Sequence, residues 1–162
     1  PAPGEPAPEV IELTVAAPPA ERFLTLLDPV GSSCSRGEYS IDGGAQPNSL
    51  RCQVRSQTVR TDYILGRSVD RLRATLGIDD RSSPDAPVRI RILGDEQLLS
   101  DEIVTYGQAK PVDVDVRGVL RLSIEVTPAD PDASRSGSVD AVIGAPKLVG
   151  SPDALRALGT DD

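Results

Sequence analysis

Apolar and polar residues trade places one for one in four consecutive segments of this chain, and a period of two admits one kind of element. Leu72, Ala74 and Leu76 alternate with Arg71, Arg73 and Thr75, and Val88, Ile90 and Ile92 alternate with Arg89 and Arg91. Val112, Val114 and Val116 alternate with Asp113 and Asp115, and Leu120, Leu122, Ile124 and Val126 with Arg121, Ser123 and Glu125. A strand points successive side chains to opposite faces, so each segment offers one face to a core and the other to water. Asp, Gly, Pro and Ser turns separate the segments, as the connections of an antiparallel sandwich require. The outward faces carry Arg on two of these strands and Asp on another. Cross-strand ion pairs are therefore expected to pin register while adding little stability each.

Further strands are expected at Val10–Val15, Leu50–Val54 and Val59–Leu65, with a short apolar segment at Phe23–Leu27. Ser138–Val149 reads as a closing strand bent at Gly144 or Pro146. Residues 1–9 form a Pro/Ala/Glu repeat that stiffens toward polyproline II, which predicts a linker to a larger parent protein. Residues 10–150 then form the sandwich. Residues 151–162 carry a short helix or tail: Ser151 as N-cap, Pro152 in the first turn, Leu155 and Leu158 on one face and Gly159 as a stop.

With 162 residues the chain suffices for one domain that needs no metal or partner to fold. It contains no Met, Trp or His, one Phe and three Tyr, so its core must be built from Val, Ile, Leu and Ala. The net charge of −8 excludes nucleic acid as a partner, because the 17 basic residues are interleaved with 25 acidic ones and form no clustered basic surface. No run is long and apolar enough to cross a bilayer. Catalysis lacks its usual groups: there is no His, no Gly-x-Ser-x-Gly elbow and no phosphate loop.

Cys34 and Cys52 are the only cysteines. An even count with no His beside it points to one disulfide or to two unpaired thiols. The disulfide is the expectation; closing a loop of this length stabilises by about 3 kcal/mol and belongs to an oxidising compartment. Between the cysteines, Gly37, Gly43, Gly44, Pro47 and Asn48 read as a turn-rich stretch with Tyr39 and Ile41 as its few core residues.

One order of motifs goes beyond periodicity. A strand ends in Gly77-Ile78-Asp79-Asp80, the next leads to Gly94-Asp95, Leu98-Leu99-Ser100 follows, and Val112 to Val126 with Gly118 forms a strand pair. In order and spacing this resembles the NPCBM family of carbohydrate-binding modules, lectin-like relatives of the galactose-binding jelly-roll domains, over roughly Phe23 to Val149. The resemblance implies an all-β, antiparallel jelly-roll-like β-sandwich with a short C-terminal helix. It also implies a non-catalytic, secreted or extracytoplasmic module that binds glycan or cell-wall polysaccharide. Two family segments depart: the upstream Gly-x-Gly-x-His-Ala is absent near Arg60 to Arg67, and the closing Asp-His-Ala-Asp-Trp is reduced to Val139-Asp140-Ala141-Val142-Ile143. A scaffold that has lost its sugar site would serve instead as a protein-interaction or sensor ectodomain of a membrane-anchored signalling protein.

Sugar recognition needs an aromatic face against the C–H surface of a pyranose and planar polar groups across its hydroxyls. Tyr39, Tyr63 and Tyr106 are the candidates, with Tyr63 and Tyr106 expected to bind ligand; a Tyr capping the sandwich edge is the alternative. Asp79, Asp80 and Asp85 crowd one loop and Asp130 and Asp132 another. Hard oxygen ligands at this density suit calcium as a structural ion, with Asp79 and Asp80 first, although Asp is also the commonest turn former.

Overall fold

The alternating segments fold as eleven strands among the residues described by the computed structural model, which are 20–27, 29–32, 34–54, 57–80, 87–129 and 139–158. In chain order they are β1 Ala20–Phe23, β2 Gly31–Ser32, β3 Cys34–Ile41, β4 Gly44–Val54, β5 Val59–Ile64 and β6 Arg71–Ile78. There follow β7 Val88–Gly94, β8 Gln97–Val104, β9 Lys110–Asp115, β10 Arg121–Pro128, β11 Val139–Gly150 and the helix α1 Pro152–Arg156. One antiparallel sheet runs β3-β4-β11-β6-β9 with β1 also on β11, and the other runs β2-β5-β10-β7-β8. The expected linker at 1–9, the strand at Val10–Val15, Asp85, Asp130 and Asp132, and the helix stop at Gly159 with the rest of the tail lie outside the described residues.

The apolar halves of the alternating segments meet between the sheets. Leu72 and Leu76 of β6, Ile90 and Ile92 of β7, and Leu122 and Ile124 of β10 are buried in one core. Leu120, expected to continue the inward row, lies before the first residue of β10 and stays 36% exposed. The polar halves pair across strands: Asp101 on β8 faces Arg89 and Arg91 on β7, and Asp113 on β9 faces Arg71 and Arg73 on β6. On the outer side of the second sheet, Arg60 reaches Asp62, Glu96 and Glu125, and Arg121 reaches Asp62 at 2.7 Å.

The Cys34–Cys52 stretch corrects the turn-rich expectation. It is a long hairpin, β3 against β4, turned by Asp42 and Gly43 with φ of 49° and 78°. Two successive left-handed residues make the tight turn that matches strand twist, which is why Asp-Gly occurs there. Cys34 and Cys52 are register partners with Cα atoms 4.4 Å apart, and the disulfide joins them.

β11 is the strand on which the first sheet is organised. One flank pairs with β6 along most of its length. The other flank pairs with β4 at Val139–Ile143 and with β1 at Lys147–Gly150, so β4 and β1 lie end to end beside it. The expected bend falls between the two partners, where Ala145 adopts φ of 45° and the register against β6 shifts. Behind it, Ser151 caps α1 by accepting the Ala154 N–H at 3.2 Å, and Leu155 and Leu158 are buried.

Candidate functional site: an open cleft at the bend of β11

Directly paired residues share a sheet face, so the register fixes what stands on the outer side of the first sheet. Phe23, Lys147, Arg73 and Asp113 form one row across β1, β11, β6 and β9. Gly144, Thr75 and Pro111 form the next. Over the change of partner on β11 lies an open cleft of about 490 Å³, within the range that holds small ligands. Gln46 enters it from β4, Glu21 from β1, Lys147 from β11, Arg73 and Thr75 from β6 and Asp113 from β9.

The floor is low because it lacks a side chain. A Cβ at Gly144 would come to 2.8 Å from Thr75 O and 3.1 Å from the Gln46 side chain. The break in pairing is held by Ser49, whose Oγ accepts the Ala145 N–H at 2.8 Å. Asp113 accepts from Arg71 Nε at 2.6 Å and Arg73 Nε at 3.3 Å, and the hydrogen bond from Arg71 is the main cause holding its carboxyl below the usual range. Lys147 Nζ stands 5.6 Å from the centroid of the half-buried Phe23 ring. Among the described residues, the Gln46 amide and the Thr75 hydroxyl make no hydrogen bond within the protein, and Glu21 makes no ion pair. The cleft therefore offers a two-way amide, a two-way hydroxyl, an ammonium and a carboxylate, a set suited to vicinal hydroxyls. A second cleft, of about 440 Å³, lies between β1 and α1. There Arg22 is engaged in donating to Leu155 O at 2.6 Å.

The sequence candidates fall elsewhere. Tyr63 on β5 is fully buried in the core, so its ring has no face open to a ligand in this structure. Its hydroxyl makes no hydrogen bond of good geometry among the described residues, and burial pushes its pKa up against the opposing effect of the nearby Thr61 hydroxyl. Tyr106 and Asp80 do meet, at the end of the sandwich away from the bend: the half-exposed Tyr106 donates its hydroxyl to Asp80 O at 2.6 Å. Asp80 also accepts the Gly43 N–H on its carboxylate at 2.8 Å and donates its own N–H to Ser40 O at 2.9 Å. Asp79 is buried and donates its N–H to Asp140 O at 2.9 Å. Asp79 also forms an isolated antiparallel bridge with Ile41, so both aspartates tie the tip of the β3–β4 hairpin to the end of β6. Among the described residues no three His, Cys, Asp or Glu side chains converge as a group that could hold a metal ion.

Gln46, Glu21 and Lys147 carry no motif. Alternation places Arg73 on an outward face but does not show that the face folds into a cleft. The signal that marks the place is Gly144-Ala145-Pro146, a break inside an otherwise strand-forming run.

The architecture has solved counterparts. A Clostridium perfringens ZmpB structure containing the M60 catalytic domain with CBM51-1 and CBM51-2 matches at 21% identity and a TM-score of 0.64 over 81% of this chain, which spans 15% of that one. The CBM51 of Clostridium perfringens GH95, in complex with methyl-galactose, matches at 19% identity and a TM-score of 0.62 over 80% of this chain and 99% of its own. CBM51-2 of ZmpB with INT domains, in complex with GlcNAc, matches at 16% identity and a TM-score of 0.61 over 81% of this chain and 32% of that one. At these identities the likeness is one of fold. No curated protein matches the chain in sequence. The family model described as the NPCBM/NEW2 domain matches residues 53–140, more than half of the sequence and every strand from β5 to β10, and the chain belongs to that family.

Proposed function

We propose that this chain is a non-catalytic glycan-recognition module acting outside the cytoplasm as part of a larger protein, and that the cleft at the bend of β11 is its binding site. The observation that carries the reading is the convergence of Gln46, Thr75, Lys147 and Glu21 on one open cleft in a member of a carbohydrate-binding family. Each of these groups can donate to or accept from a sugar hydroxyl, and among the described residues Gln46, Thr75 and Glu21 have no side-chain hydrogen bond or ion pair to break, while Lys147 has only its place over the Phe23 ring. The disulfide supports an oxidising compartment. The short share of the ZmpB structure that this chain spans supports attachment to other domains.

The test is a glycan array probed with the oxidised protein. Galactose- and GlcNAc-terminated glycans belong among the first probes, because two structural neighbours were solved with those sugars. Saturable binding that Gln46→Ala and Lys147→Ala weaken, with unchanged melting temperature, is the expected result. Silence across the array from folded protein overturns the reading and favours a protein partner.

A further inference from the structure

Resting on the glycan reading, we infer that the cleft selects an acidic sugar: the carboxylate of a uronic acid residue lies between Lys147 and Arg73, and hydroxyls of the same residue reach Thr75 and Gln46.

The strand register carries the inference. Elsewhere on the sheets, charged residues that face one another directly have opposite signs: Arg60 faces Glu125, Glu125 faces Arg91, Arg91 faces Asp101, Arg71 faces Asp115 and Arg73 faces Asp113. Among the described register pairs one breaks this pattern, Lys147 on β11 facing Arg73 on β6. Directly opposed side chains start from Cβ atoms about 5 Å apart, and like charges at that position destabilise a sheet. The exception falls in the cleft, which both residues line. An anion seated between them replaces one repulsion with two attractions.

Neither cation is fully neutralised within the protein. Among the described residues Lys147 makes no ion pair; its ammonium stands 5.6 Å from the ring centroid of Phe23, its register partner on β1. A ring attracts a cation without cancelling its charge. Arg73 shares Asp113 with Arg71, whose bond is the shorter at 2.6 Å against 3.3 Å. Arg73 makes that bond through Nε, and among the described residues its terminal nitrogens make none. Glu21 is the opposing charge. It is exposed at the rim, where it lines the second cleft as well, and it makes no ion pair among the described residues. Its carboxylate weakens the hold on an anion, which supplies a test of opposite sign.

Thr75 follows Arg73 by two residues on the same face of β6, roughly 7 Å along the strand, a separation that one pyranose bridges. The nearby aromatic rings are already covered: Tyr39, the register partner of Gln46, has its ring between Gly37 and the Arg51 guanidinium, and Phe23 carries Lys147. Recognition therefore rests on charge and hydrogen bonds. The net charge of −8 repels a densely charged polymer at long range, so an acidic residue among neutral ones fits best.

The experiment is an NMR-monitored titration of the oxidised protein with methyl glucuronide, galacturonide and mannuronide, each against its neutral methyl glycoside, and with galactose 6-sulfate. Each matched pair differs only in a carboxylate or a hydroxymethyl group. In at least one pair the acid is expected to bind about tenfold tighter, the scale of one hydrogen bond to a charged group. Lys147→Gln and Arg73→Gln should each narrow that preference, and Glu21→Gln should widen it. Where either cation variant melts early, Glu21→Gln, at an exposed position, decides by its sign. Equal affinity for acid and neutral partner in every pair overturns this inference while leaving glycan binding intact. So does an acid preference that Lys147→Gln and Arg73→Gln leave in place, or that Glu21→Gln fails to widen. Tighter binding of galactose 6-sulfate than of any uronide overturns the carboxylate. No binding of any saccharide overturns the glycan reading itself.

Discussion

Two tyrosines of similar sequence context have opposite fates, and strand phase is the reason. Thr61, Tyr63 and Leu65 fall on one side of the β5 segment, and all three are buried, so the inward position of Tyr63 follows from the same alternation that gives the strand. Because its buried hydroxyl makes no hydrogen bond of good geometry among the described residues, Tyr63→Phe should leave stability unchanged or raise it, whereas Tyr63→Ala should cost about 3–5 kcal/mol by opening a cavity. Thermal melts distinguish the two; a large loss for Tyr63→Phe would mean the hydroxyl has a structural partner. Tyr39 was harder to place, because the register shift adds one residue to β4 between Gln46 and Ser49, and period-two reasoning along that strand cannot count through the bulge opposite Tyr39. Gly144 behaves as the site requires: Gly144→Ala pushes a methyl group toward Thr75 O and should cost about 1–3 kcal/mol while weakening glycan binding. An unchanged melt with unchanged binding would show that the floor of the cleft has room.

At the scale of elements, the four alternating strands and the capped helix were legible because each is specified within its own segment. The β3–β4 hairpin was obscured because its Gly, Pro and Asn also suit loops; Asp42-Gly43 was the local signal for it. Its disulfide links register partners separated by 18 residues. Cys34→Ala with Cys52→Ala should therefore lower stability by about 3 kcal/mol, a fall of roughly 10 °C in melting temperature. A shift below ~2 °C would mean that the paired strands alone restrict the unfolded chain as much as the crosslink does.

The ion-pair rows make a separate prediction. Burial alone would raise the Asp62 pKa, but hydrogen bonds from Arg121, Ser123 and Arg60 outweigh it and hold the carboxyl below its ordinary value. Arg117 holds Asp115 at about 2. Both carboxyls titrate near ~3.9 in the unfolded chain, so each binds its proton more weakly when folded. Their contribution is complete above the unfolded value and is lost as pH falls from there toward the folded values. With no His in the chain, melting temperature should be nearly level from about pH 5 to 8 and decline below about pH 4. A stability maximum under pH 4 contradicts this account.

The whole molecule shows where sequence reading stops. The sandwich follows from alternation, because eleven short strands with apolar inner faces have few other ways to bury them. The cleft does not, because it arises where β11 exchanges β4 for β1, two strands more than twenty residues apart in sequence whose meeting is a property of topology. The central claim is that this junction, and not the Tyr106–Asp80 end, receives a glycan. Backbone amide NMR, titrated with the best-binding oligosaccharide, tests it most directly. The account predicts shifts that saturate together at Gln46, Thr75, Gly144 and Lys147, while Asp80 and Tyr106 remain still. Saturating shifts confined to Asp80, Tyr106 and Gly43 would contradict it and move the site to the other end of the sandwich.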